Sequence, residues 1–145
     1  MVSDEIWADL VMPGQRHIPT QSVSEDAKMR TAALYAPSKT FNLAGLVGSY
    51  QVIYSPYLRQ RIKKEEAMTH FNEMNVLSMY ALIGAYSGEA EEWLDELRQV
   101  LDGNLTYAVD VIRQKFHGVK VTKPQGTYMR FLDCTEGGAE HECSL

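Results

Sequence analysis

The stretch Thr31-Ala32-Ala33-Leu34-Tyr35-Ala36-Pro37-Ser38-Lys39-Thr40-Phe41-Asn42-Leu43-Ala44-Gly45-Leu46 decides the fold. Its first six residues form a short apolar run ended by Pro37, a pattern that suits a strand buried on both faces. Lys39 follows directly, ahead of a glycine-containing loop. Open α/β sheets hold their ligands at that place, outside the carboxyl ends of the strands. From the residues alone, Lys39 suits either a ligand-binding amine or a solvated side chain.

Upstream, Ser3-Asp4-Glu5-Ile6 reads as the end of a strand running into a loop. Residues 12–26 carry turn formers and no period, so they predict a loop with a short helical turn near Ser24. Downstream, Gly48 to Tyr54 is rich in β-branched and aromatic residues and predicts a second strand. Ser55-Pro56 supplies a helix cap and a first-turn proline for a helix from Tyr57 to about His70. Met74 to Tyr86 is apolar nearly all round, which predicts a buried helix. Ser87, followed by Glu89, Glu91 and Glu92, starts a long helix over about Ala90 to Phe116, with Trp93 and a leucine stripe on its core face. Gly103 costs that helix about 1 kcal/mol against alanine, so a break at Asp102-Gly103 stays open. Gly118 to Thr122 and Thr127 to Asp133 predict two strands joined by a turn at Pro124-Gln125-Gly126.

The order of elements predicts an α/β fold: residues 1–88 as the later part of a large domain, 89–117 as a long interdomain helix, and 118–145 as the start of a second unit with a divergent tail. The chain has 145 residues, with 14 Lys and Arg against 19 Asp and Glu for a net charge of −5. It lacks the surplus of cations that binds nucleic acid or an anionic membrane. Two cysteines, Cys134 and Cys143, cannot build a multi-bridge secreted framework. No signal peptide and no apolar run of membrane-spanning length occurs, so a soluble cytoplasmic protein is expected. His141-Glu142-Cys143 is too closely spaced for a usual zinc site, and His17 and His70 have no partners nearby in sequence, so no metal is expected. Arg59, Arg61, Lys63 and Lys64 precede Glu65 and Glu66 and read as a solvated helix face.

Ser38-Lys39-Thr40-Phe41-Asn42-Leu43-Ala44-Gly45-Leu46 resembles the cofactor-lysine segment of fold-type I pyridoxal-phosphate enzymes. Asp4-Glu5-Ile6-Trp7-Ala8-Asp9-Leu10, with Asp4 lying 35 residues before Lys39, resembles their strand end bearing the pyridine-binding aspartate. Ala36-Pro37-Ser38-Lys39, His17-Ile18-Pro19, Leu101-Asp102-Gly103-Asn104-Leu105-Thr106-Tyr107 and Pro124-Gln125-Gly126-Thr127-Tyr128 are most similar to the MalY/PatB branch of cystathionine β-lyases. The resemblance runs from about Ser3 to Cys134 and implies part of the aspartate aminotransferase-like large domain, with a long helix leading into the small domain.

It further implies pyridoxal 5'-phosphate as cofactor and an amino acid as substrate. Lys39 would form the Schiff base with the cofactor aldehyde and then act as the base at the substrate α-carbon. Asp4 would face the pyridine nitrogen, and Ser38 would donate its hydroxyl to the phosphate. The plainer readings are a frayed terminal residue for Asp4 and a turn residue for Ser38. Val47 and Ala36 stand where many relatives carry an arginine and a serine, so phosphate binding would rest largely on other groups. Trp7 takes the place of a tyrosine whose role is not carried over.

Intact members of the family are homodimers more than twice as long. The chain would lack the ring-stacking aromatic residue, a tyrosine from the partner subunit and the arginine that grips the substrate carboxylate. The expectation is therefore a truncated or frame-disrupted C–S β-lyase, not competent alone, with an aminotransferase as the close rival. A non-catalytic helical interaction module built on Met74 to Phe116 is the rival of another class.

Overall fold

The structure, a computed structural model, describes residues 1–69 and 73–136. His70, His141 and Cys143 therefore lie outside the described residues. The chain divides into two compact units. The first comprises Met1–Asp9 and Arg16–Leu94. It is built on a three-stranded sheet in the order β1-β2-β3, with β1 at Val2–Asp4, β2 at Ala32–Tyr35 and β3 at Tyr50–Ile53. β1 and β2 are parallel, with Asp4 opposite Leu34. β3 returns antiparallel, with Tyr50 opposite Tyr35. A parallel pair needs a crossover, and here it contains a 3-10 turn at Thr20–Ser22 and helix α1 at Glu25–Arg30. Buried Gln21 holds this crossover on the sheet, its Nε2 donating to Thr31 O and Val52 O, both at 2.9 Å.

The helix starts follow their capping residues. Ser24 Oγ accepts from Ala27 N at 3.0 Å to begin α1. α2 spans Pro56–Thr69, with Ser55 Oγ accepting from Leu58 N at 3.4 Å. α3 spans Val76–Ala85, capped by Asn75 through Ser78 N at 2.9 Å. α4 spans Gly88–Lys115 and is continuous through Gly103, so the break left open at Asp102-Gly103 does not occur. Its turns as far as Leu94 belong to the first unit.

α3 is not the buried helix that its composition predicts. Val76, Leu77, Tyr80 and Ile83 are exposed, and of this helix only Ser78 and Ala85 are buried. An all-round apolar helix states a demand for cover, whereas the fold decides what supplies it. Trp93 is likewise half exposed instead of lying in a core. The buried stripe of α4 runs through Leu94, Leu105 and Val109.

The second unit comprises Leu10–Gln15 and the chain from Asp95 onward. It pairs β4 (Lys120–Val121) antiparallel with β5 (Leu132–Asp133). The strand expected over Thr127 to Asp133 is reduced to these last two residues, and Thr127, where it was expected to begin, takes a positive φ of 61° that is not extended. Instead Thr127 N donates to Leu10 O at 2.6 Å, and Val11 bridges Gly126. Gly126 suits that close approach, since a Cβ would lie a tight 3.1 Å from Leu10 O. Lys123 pairs with Asp102 at 2.7 Å.

Candidate functional site

Because β1 and β2 run parallel and in register, their carboxyl ends lie at one sheet edge. That edge brings Asp4, the last residue of β1, together with the turn that follows β2. The turn is closed by Phe41 N donating to Pro37 O at 2.9 Å and Leu43 N donating to Ser38 O at 3.0 Å. It passes through Asn42 at φ 54°, a left-handed conformation that asparagine tolerates. Ser38 and Lys39 are half-buried within it. The Lys39 Nζ lies 5.8 Å from the centroid of the Trp7 ring. At that distance an ammonium interacts favourably with an indole face. Thr40, next in the chain, is buried and its Oγ1 has no hydrogen-bond partner among the described residues. Asp4 is exposed, and its Oδ1 accepts from Ile6 N at 3.4 Å.

Aromatic rings flank the lysine turn. Phe41 stacks on Trp93 with centroids 5.9 Å apart and meets Tyr86 edge-on at 6.0 Å. Tyr86 in turn meets Tyr50 at 5.7 Å, and Tyr50 stacks on Tyr35 at 5.4 Å. The Tyr86 hydroxyl donates to Asp9 Oδ2 at 3.4 Å. Burial first, then the hydrogen bond with Tyr50 and the Asp9 charge, push the Tyr86 phenol far above its ordinary value. It remains a neutral hydrogen-bond donor throughout the physiological range.

The sequence reading missed the residue beside Asp4. The Glu5 side chain is only 3% exposed, yet it carries a carboxylate. Oε1 accepts from Ser3 Oγ and from Thr20 N, both at 2.9 Å, and Oε2 meets His17 Nε2. Burial raises the carboxyl pKa, but the hydrogen bonds from Thr20, His17 and Ser3 together outweigh it and hold the group below its ordinary value. His17, which has no partner nearby in sequence, thus has one in space. A signal was present in the order Glu5, His17 and Thr20, but nothing local ties a loop histidine to a strand end.

Among the described residues, no three His, Cys, Asp or Glu side chains gather as a metal site, and no helix is long and apolar enough to cross a membrane.

No protein-family model matches the chain. Cystathionine β-lyase PatB of Bacillus subtilis is 33% identical over 138 residues, which is 95% of this chain and 35% of that protein. Protein MalY of Escherichia coli is 35% identical over 134 residues, 92% of this chain and 33% of its own length. Among solved structures, cystalysin from Treponema denticola, which contains a pyridoxal 5'-phosphate cofactor, superposes with a TM-score of 0.82 at 35% identity, over 91% of this chain and 33% of that one. Aspartate aminotransferases also match, at 27–28% identity. The chain spans about a third of the length of these relatives. In sequence and fold it is therefore a partial pyridoxal-phosphate-dependent transferase fold, a homologue within the MalY/PatB cystathionine β-lyase branch.

Proposed function

We propose that the chain carries the lysine-bearing part of a pyridoxal-phosphate-dependent C–S β-lyase acting by α,β-elimination on sulfur amino acids. The observation that supports this is the parallel register of β1 and β2, in which Asp4 ends β1 and the Lys39 turn follows β2, with Lys39 Nζ 5.8 Å from the ring of Trp7. The groups present fit the cofactor: the Asp4 carboxylate to accept from a ring N–H, the Lys39 amine for an aldehyde, and the Ser38 hydroxyl to donate to a phosphate oxygen. Buried Thr40 Oγ1, without a partner among the described residues, is a further hydroxyl beside the lysine.

The bound cofactor supplies an electron sink for the pair left when the substrate α-proton departs. With the cofactor bound, Lys39 would take that proton as the general base at the α-carbon, and the electron pair would then break the Cβ–S bond and leave with the sulfur as a thiolate. Asp4 keeps a proton on the ring nitrogen, which sustains the sink. Ser38 donates to the phosphate and orients the ring. Transamination is the second reading. It shares the same proton removal, and the matched aspartate aminotransferases favour it.

We further assign residues 1–88 to the later part of the large domain, 89–117 to the interdomain helix and 118–145 to the start of the small domain. The remaining two thirds of the fold, a homodimeric partner and a cytoplasmic location belong to the same proposal, as does the chain's not being competent by itself. The exposed apolar surface of α3 supports it, since such a surface calls for cover. It also suits the helical interaction module, which the following experiment separates.

Pyridoxal phosphate added to the chain should give an absorbance band at about 420 nm. Lys39→Ala should remove it. A band that survives Lys39→Ala unchanged belongs to surface lysines and would refute the assignment.

A further inference from the structure

Among the described residues Glu5 is the only charged side chain that the fold buries. Burying a carboxylate is unfavourable, and an apolar residue of similar volume at a strand end facing protein would be no less stable. What the carboxylate provides instead is direction. Its three donors come from β1 itself, from the 3-10 turn and from the loop before it: Ser3 Oγ, Thr20 N and His17 Nε2. The backbone of the same residue is held at both ends. Glu5 N donates to Leu34 O at 2.9 Å, and Glu5 O accepts from Ala8 N at 2.9 Å.

These restraints lie between Asp4, the last residue of β1, and Trp7, whose ring centroid lies 5.8 Å from Lys39 Nζ. Ser3 and Glu5 meet through their side chains, so they share one face of the extended strand end, and Asp4 emerges from the other. Trp7 follows in the turn closed by Ala8 N, with its ring under Lys39 Nζ.

We propose that Glu5 is a positioning residue: its buried carboxylate, clamped by His17, Thr20 and Ser3, sets the backbone from which Asp4 and Trp7 project at the edge that carries Lys39. The proposal rests on the cofactor reading for the role of Asp4. The groups named are specific to this clamp. His17 reaches Glu5 from a loop twelve residues away in sequence and ties that loop to the strand end.

The test uses the whole chain with three substitutions, Glu5→Gln, His17→Ala and His17→Gln, and pyridoxal phosphate itself as the probe. Two readouts are taken: the Lys39-dependent band in a cofactor titration, and amide hydrogen exchange at Ala8 and Thr20 against Ala33 and Ile53. Glu5→Gln and His17→Ala should weaken cofactor binding by about tenfold and speed exchange at Ala8 and Thr20 by about the same factor, the scale of one lost charge-assisted hydrogen bond. Exchange at Ala33 and Ile53 should stay unchanged. His17→Gln, whose side-chain amide can still donate, should restore both readouts.

Acceleration spread evenly over the sheet would make Glu5 a general stabiliser and overturn the proposal. So would cofactor binding that is unchanged by Glu5→Gln and His17→Ala. A wild-type chain with no Lys39-dependent band overturns the cofactor reading and the clamp together. A wild-type band that both substitutions leave intact overturns the clamp alone.

Discussion

The end of β1 and the surface of α3 lie in the same unit and meet opposite fates. At the strand end a carboxylate is taken out of water and given three donors. Along α3 an apolar surface is left in water, with Leu77 71% and Tyr80 66% exposed. Polar groups need few partners at short range, and a loop of modest length can bring them. Apolar helices need area, which has to come from a whole facing element. A chain spanning a third of its relatives' length satisfies the first need and leaves the second open.

That contrast is most sharply tested at Glu5. Glu5→Ala should cost about 3 kcal/mol in denaturant unfolding, the upper range for leaving buried donors without an acceptor. A loss below about 0.5 kcal/mol would show that the strand end is as undemanding as an exposed surface.

Acid should expose the same interaction. The Glu5 carboxyl is held below its ordinary value of 4.5 in the folded chain, so the unfolded state binds the extra proton more readily. The stabilisation is fully present above pH 4.5 and is lost as the pH falls through the lower folded value. Stability measured against pH should fall on this acid limb, and Glu5→Gln should flatten it. An identical limb in the variant would assign the acid loss elsewhere.

Between these extremes lies α4, which is both long and partly buried. Gly103 has nothing within 4 Å of where a Cβ would stand. Gly103→Ala should therefore raise stability by about 1 kcal/mol, visible as a higher denaturation midpoint. A loss instead would mean that the helix is not regular at that point.

The smallest effect is expected on α3. Leu77→Glu or Tyr80→Glu should change unfolding free energy by under about 0.5 kcal/mol, while raising the soluble fraction at high protein concentration. A loss of several kcal/mol would show that α3 is covered in solution and dissolve the contrast.

Much of this was legible residue by residue. Ser55 and Ser87 each begin a helix where the residues predict a start, since capping depends on atoms within three residues, while Ser24 caps a helix where only a short helical turn is expected. The strand before Pro37 and the turn bearing Lys39 followed from an apolar run ended by a residue that lacks an N–H. The end of a strand at Asp4 was legible as well. Glu5 was not, although it adjoins Asp4, because an exposed and a buried carboxylate are spelled the same. Thr127 to Asp133 misled because its β-forming residues say nothing of the positive φ that Leu10 and Gly126 impose on Thr127.

By itself, then, the amino-acid order determined where helices start, where strands stop and which lysine follows a buried strand, because those features depend on neighbours a few residues away. Only the tertiary structure decided that β1 and β2 run parallel with Asp4 opposite Leu34, that His17 closes on Glu5, and that α3 faces water. Those outcomes depend on the path of the chain between distant segments, and burial or pairing exists only once that path has brought two surfaces together.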